Sequence, residues 1–112
     1  MDDNCIKSLG EFIQNSKTII NIGLGDNVIT DKGIEILLPY LIGNMTIIYL
    51  GISFNKEITD KSIPLLKESI HKSIIQCLDI FGTSITDKNI LVVQLIENIL
   101  KNGSDTIDMN GK

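Results

Sequence analysis

One short triplet, Thr-Asp-Lys, occurs three times in this chain of 112 residues and constrains its fold more than any other feature. The copies lie at 30–32, 59–61 and 86–88. Each copy is preceded directly by an isoleucine (Ile29, Ile58, Ile85) and followed two residues later by another (Ile34, Ile63, Ile90). A nearly constant spacing indicates that one structural unit is stacked several times, and this decides the architecture before any secondary structure is assigned.

An alternating apolar segment lies upstream of each triplet. The three segments place apolar residues at matching positions and end on a polar residue: Ile19, Ile22, Leu24, Asn27; Ile47, Leu50, Ile52, Asn55; Ile75, Leu78, Ile80, Thr83. Alternation of β-branched residues favours strands with one buried face, and the spacing after each triplet becomes helical, as in Ile90, Val93 and Leu100. We therefore expect strands near 20–25, 48–53, 76–81 and 106–110, with Thr or Asp capping the intervening helices.

These segments resemble the leucine-rich-repeat signature L-x-x-L-x-L-x-x-N, with isoleucine often replacing leucine. The 28-residue advance from Asn27 to Asn55 to Thr83 is similar to the ribonuclease-inhibitor-like class of that family. The resemblance implies an α/β fold: a right-handed leucine-rich-repeat solenoid forming a horseshoe segment, with a parallel sheet on the concave side and helices on the convex side. It also implies a structural role for Asn27, Asn55 and, with fewer partners, Thr83 in satisfying loop backbone groups.

The chain is short enough that one core is expected, so we predict a single leucine-rich-repeat domain over 1–112. Its predicted parts are a helical half-repeat at 3–16, full repeats at about 18–45, 46–73 and 74–102, and a partial C-terminal strand at 104–112.

Several classes of function are disfavoured by composition and spacing. The net charge of -4 and the absence of lysine runs argue against nucleic acid, and the absence of arginine excludes an arginine finger. A catalytic pair is needed once, whereas Thr-Asp-Lys recurs three times, and His71 has no evident nucleophile or carboxylate partner. We predict no enzymatic activity, no catalytic residues, no cofactor and no metal site.

The chain has no signal-like N-terminal segment and no apolar stretch long enough to span a membrane. We therefore expect a cytoplasmic protein without a membrane partner. In that compartment Cys5 and Cys77 are expected to be reduced thiols.

The predicted concave face carries the candidate binding site. Three of the five aromatic residues in the chain, Tyr49, Phe54 and Phe81, fall on positions that the alternation predicts to be exposed. Clustered exposed aromatics indicate recognition, although covering loops or an oligomer would also explain them. The predicted protein-binding set is Asn21, Tyr49, Ser53, Phe54, Asp79 and Phe81.

The resulting functional prediction is a protein–protein interaction module that binds another protein through the concave sheet face. One alternative is a structural component that self-associates through open solenoid ends and terminal strands. Another is a fragment of a larger leucine-rich-repeat regulatory protein.

Overall fold

The computed structural model describes residues 1–42 and 44–102. Helices and short strands alternate along these residues: α1 (Ile6–Asn15), β1 (Asn21–Gly23), α2 (Asp31–Ile42), β2 (Tyr49–Gly51), α3 (Ile63–His71), β3 (Cys77–Asp79) and α4 (Asn89–Asn102). Two short 3₁₀ turns, Asp3–Cys5 and Asp60–Ser62, lead into α1 and α3.

The three strands form one parallel sheet in the order β1, β2, β3. Asn21 lies beside Tyr49 and Tyr49 beside Cys77, so the register advances by 28 residues at each step. The strands are shorter than expected, but backbone hydrogen bonds continue beyond their C-terminal ends, as from Phe54 N–H to the Phe81 carbonyl. The strand expected at 106–110, within the predicted segment 104–112, lies outside the described residues.

The core lies between one face of the sheet and the helices. Ile22 and Leu50 are buried from the sheet, and α1, α2 and α3 contact one another in series against it. The helices contribute apolar side chains at three- and four-residue spacing, which is the pattern of one buried helix face: Ile34, Leu37, Leu41, Ile63, Leu66 and Ile70.

The expected fold class, an extended leucine-rich-repeat solenoid forming a horseshoe segment, is wrong. The described residues form a small compact α/β domain of four helices and three parallel strands. The chain has a Cα radius of gyration of 14.1 Å and dimensions of 49 × 32 × 20 Å. Strands of three residues are too few and too short to build an extended curved sheet, so the helices and the sheet enclose a single core instead.

Each Thr-Asp-Lys triplet contacts the triplet region one repeat earlier in the chain, and the threonines of the first two triplets also accept a capping hydrogen bond. Thr59 accepts a hydrogen bond from the Lys61 N–H, as an N-cap does, and donates its hydroxyl to Asp31 at 2.7 Å. Thr30 with Asp3, and Thr86 with Asp60, repeat the second contact. Partial burial raises the pKa of Asp31, but hydrogen bonds from Ser62 and Thr59 outweigh that effect and hold the pKa below its ordinary value.

The side chains of Asn27, Asn55 and Thr83 differ in how many backbone groups they bond to. Asn55 is fully buried. Its amide donates to the carbonyls of Leu24, Ile52 and Ser53, and its oxygen accepts from the Ile29 N–H. The Asn27 amide donates to two carbonyls of its own turn, and the half-buried Thr83 hydroxyl donates to one carbonyl, that of Ile80. Of the three, Asn55 holds two successive turns together.

The last helix forms where the apolar spacing predicts it, but the apolar residues of that spacing lie on its exposed side. Ile90, Val93 and Leu100 are exposed, whereas Leu91, Gln94 and Asn98 face the core. The Asn98 amide donates to the carbonyls of Ile70 and Ile75, both at 2.7 Å, and these bonds hold a polar side of α4 inward. The helix also begins only at Asn89, later after its triplet than α2, which starts at Asp31 directly after Thr30.

Asn55→Ala is expected to lower the free energy of unfolding by about 1–3 kcal/mol, because it strips partners from buried backbone groups in two turns. Thr83→Ala is the matched control, and it should cost less because its hydroxyl bonds within one half-buried turn. Urea denaturation of both variants measures the difference. Equal and small losses would show that the Asn55 amide does not hold the turns together.

Candidate functional site

The exposed face of the sheet is the first part of the candidate site. Tyr49 is half-buried and its ring lies across Gly51, where a Cβ atom would come within 2.6 Å of the Tyr49 hydroxyl oxygen. That hydroxyl is 3.5 Å from an Asp79 carboxylate oxygen on β3, a long hydrogen bond. Desolvation and the negative charge of Asp79 raise the pKa of Tyr49, so the phenol remains a donor at neutral pH.

Two exposed phenylalanines form the second part of the site at the C-terminal edge of the sheet. Phe54 and Phe81 follow β2 and β3, and their ring centroids are 5.4 Å apart with an interplanar angle of 81°. This is the edge-to-face arrangement that aromatic pairs prefer. Phe54 remains 45% exposed and Phe81 66% exposed, so the pair covers little of the core.

Asp79 joins the two parts. One of its carboxylate oxygens faces the Tyr49 hydroxyl, and the other accepts the Phe81 N–H at 3.1 Å. Tyr49, Phe54, Asp79 and Phe81 are thus linked by consecutive contacts, and we call these four residues the aromatic patch.

The other two predicted binding residues border the aromatic patch. Asn21 is exposed at the start of β1, beside Tyr49 in the sheet register. Ser53 is half-buried, with its side chain next to Gly25 in the preceding turn. The structure thus brings together four of the six predicted residues directly and places the remaining two at the rim.

Strained turns at the strand ends were not anticipated from the sequence. Asp26, Phe54 and Gly82 occupy matching turns and all have left-handed backbone, with φ of 58°, 59° and 77°. Glycine adopts this conformation freely and aspartate tolerates it, whereas it is unfavourable for a bulky residue such as phenylalanine. The sequence carries a signal for only one of these turns, Gly82.

The outer side of α4 is a second feature that the sequence analysis missed. Six apolar side chains on this helix are exposed: Ile90, Val92, Val93, Ile96, Ile99 and Leu100. The side of α4 that faces the core carries the buried polar residues Gln94 and Asn98, and the sequence carries no clear signal for this arrangement.

Little else in the described residues offers catalytic or ligand chemistry. His71 lies beside Gln94 in a groove between α3 and α4, with ring nitrogen Nδ1 3.3 Å from the Gln94 amide. Across residues 1–42 and 44–102, no three His, Cys, Asp or Glu side chains are grouped so that they could hold a metal ion. No helix in this part of the chain has the length and apolar character needed to cross a membrane.

The fold and the patch define a class: a small α/β domain whose parallel sheet leaves one face open. No family model matches the chain, and no curated protein does. Among solved structures, the chain is similar to one titled "Leiomodin-1 Actin-Binding Site 2 (ABS2)", with a TM-score of 0.77 and 18% sequence identity over 97% of this chain. The chain spans 64% of the length of that structure's chain. At this identity the likeness shows a shared fold.

The resemblance to the leucine-rich-repeat family and its ribonuclease-inhibitor-like class is corrected by these findings. No family model supports it, and the similar structure is that of an actin-binding site. The pattern misled because isoleucine replaces leucine at most positions of the signature. Any parallel strand that buries one face against helices requires similar apolar spacing, so the pattern was less specific than it appeared in the sequence.

Gly82→Ala is expected to lower the free energy of unfolding by about 1–3 kcal/mol, because alanine is strained at positive φ. Its methyl group would also lie 2.5 Å from the Phe54 ring and displace it. Gly23→Ala is the control, since a Cβ atom there meets nothing within 4 Å. Chemical denaturation compares the two, and equal stability would contradict the coupling of Gly82 to Phe54.

Proposed function

We propose that this chain is a protein-binding domain, without catalytic activity of its own, that contacts its partner through the aromatic patch. The observation that carries the proposal is Phe54, an exposed aromatic side chain held in left-handed backbone. Such a conformation costs on the order of 1–3 kcal/mol for a residue other than glycine. Strain of this kind persists most often where a side chain has a function.

The contacts of Phe54 in the free chain do not account for that cost. Its edge-to-face contact with Phe81 contributes about 0.5–1.5 kcal/mol, and nearly half of the residue is exposed. The matching turns hold the same conformation with Asp26 and Gly82, which suit it better. A phenyl ring at position 54 is therefore better explained by a partner than by folding.

The arrangement of the patch also suits recognition. Tyr49 is held by Gly51 and Asp79, and Phe54 by Gly82 and Phe81, so the rings are positioned before a partner arrives. Rings that are ordered in advance lose little conformational entropy on binding. Aromatic anchors of this kind carry much of the energy of protein interfaces.

The similar solved structure agrees with a protein partner, because its title describes an actin-binding site. Actin is accordingly the first defined protein to test. We further propose that residues 1–112 act as one domain and that the protein works in the cytoplasm, where the exposed thiols of Cys5 and Cys77 would stay reduced.

The double variant Tyr49→Ala/Phe81→Ala is expected to weaken partner binding by about 2 kcal/mol or more, because it removes two anchors from the patch. Wild type and variant are used to capture partners from the native cell, with actin probed specifically, and the affinity of each captured protein is then measured. Phe12→Ala is the control, since Phe12 is an exposed aromatic on α1.

Circular dichroism and urea denaturation establish that all three proteins are folded. If the folded double variant keeps the same partners at the same affinity, the aromatic patch is not the binding site. Loss of binding in Phe12→Ala alone would place the site on the helices.

A second candidate function, assembly with another copy of the chain, is favoured by the outer side of α4. Ile96 lies near the middle of this apolar side, with Val93 and Leu100 on either side of it, and each of the three is at least half exposed. Two copies related by a two-fold axis would place Ile96 against Ile96 and cover both surfaces.

Val93→Ser/Ile96→Ser is expected to convert a dimer into a monomer, because it places hydroxyl groups in the apolar contact. Light scattering over a range of protein concentrations measures the mass. Val28→Ser is the control, since Val28 is also an exposed valine but lies between β1 and α2 and not on α4. A wild type that stays monomeric at every concentration would rule out assembly through α4.

A further inference from the structure

We propose that the partner is recognised through a basic side chain, arginine or lysine, that enters the aromatic patch and pairs with Asp79. This inference rests on the proposed function and specifies the chemistry of the partner. Three observations carry it: the state of the Asp79 carboxylate, the rings and open space around it, and the distribution of charge over the surface.

Among residues 1–42 and 44–102, no lysine forms an ion pair with the carboxylate of Asp79. Its two hydrogen-bond donors, the Phe81 N–H and the Tyr49 hydroxyl, are both neutral, and the second contact is long at 3.5 Å. The ion pairs found among the described residues are Lys32 with Glu35 on α2, and Lys72 with Glu68 at the C-terminal end of α3. A carboxylate accepts about four hydrogen bonds, so Asp79 keeps acceptor capacity for a cationic donor.

The surroundings of Asp79 fit a long cationic side chain. The Tyr49 hydroxyl contacts one oxygen of the carboxylate, and the backbone N–H of Phe81 contacts the other. The side chain of Phe81 is 66% exposed. Aromatic faces attract guanidinium and ammonium groups, and they also pack against the aliphatic stems of these side chains. Gly23 lies beside Gly51, the residue that the Tyr49 ring covers, and it leaves open space on the sheet because nothing lies within 4 Å of where its Cβ atom would be.

The charge distribution points to the same ligand class. The strand and turn segments 21–26, 49–54 and 77–82 contain two aspartates, Asp26 and Asp79, and no lysine. The groove beside Phe54 is lined by one basic residue, Lys56, and by two acidic residues, Asp26 and Glu57. The open face is therefore negative, as is the chain as a whole at -4. A negative surface steers a basic segment toward it and disfavours an acidic one.

The test is an NMR titration of the isotopically labelled full chain with short peptides. The probe is acetyl-Gly-Leu-Arg-Leu-Gly-amide, and the matched peptides replace arginine with lysine or with citrulline, which keeps the shape but is neutral. We expect the arginine and lysine peptides to shift the amides of Tyr49, Asp79 and Phe81. We expect the citrulline peptide to bind at least about tenfold more weakly. Equal binding of the citrulline peptide, or no binding of the basic ones, overturns the inference.

Asp79→Asn separates this inference from the proposed function. Asparagine keeps an oxygen for the Phe81 N–H but has no charge, so the variant should remain folded and lose at least about tenfold in affinity for the arginine peptide and for captured partners. Asp26→Asn is the matched control and should change the affinity less. If Asp79→Asn keeps its partners while Tyr49→Ala/Phe81→Ala loses them, the patch is the binding site and the basic ligand is wrong. If both variants keep them, the proposed function fails as well.

Discussion

The buried amide of Asn55 is the interaction on which the rest of the structure depends. A parallel sheet of three-residue strands has few hydrogen bonds of its own, so the turns that follow the strands must be fixed by other means. Asn55 does this by bonding to backbone groups of its own turn and of the turn before it. Because an unsatisfied backbone group inside the core is costly, these bonds fix the position of the turn after β2 relative to the turn after β1.

Those fixed turns explain how the domain holds side chains that do not help it fold. The turn after β2 forces position 54 into left-handed backbone, and the turn after β3 does the same at Gly82. The fold is stable enough to tolerate phenylalanine at position 54, in the first of these turns. Functional sites commonly contain a residue in a locally unfavourable conformation. The stability of the surrounding fold offsets the free-energy cost of that strain.

On the helices, several polar side chains make contacts inside the fold, whereas apolar side chains of α4 face outward. Thr59 and Asp31 use their polar groups to connect layers, and Asn98 connects α4 to the end of α3. The inward bonds of Asn98 leave the apolar side of α4 exposed, where Val93 and Ile96 form a surface as open as the aromatic patch. The described part of the chain thus includes two exposed apolar surfaces of different character, one aromatic with a carboxylate and one aliphatic.

The sequence by itself determined the positions of the three described strands, the inward side of Ile22 and Leu50, and the exposure of Phe54 and Phe81, because alternation along a half-buried strand is a local property. It did not determine the architecture, and the predicted solenoid was wrong, because how far short strands extend into a sheet depends on packing across the whole core. Only the tertiary structure decided the left-handed backbone at Phe54, the contact of Asp79 with Tyr49, and which side of α4 faces the core. Each of these depends on groups about 23 to 30 residues apart in sequence that packing brings together.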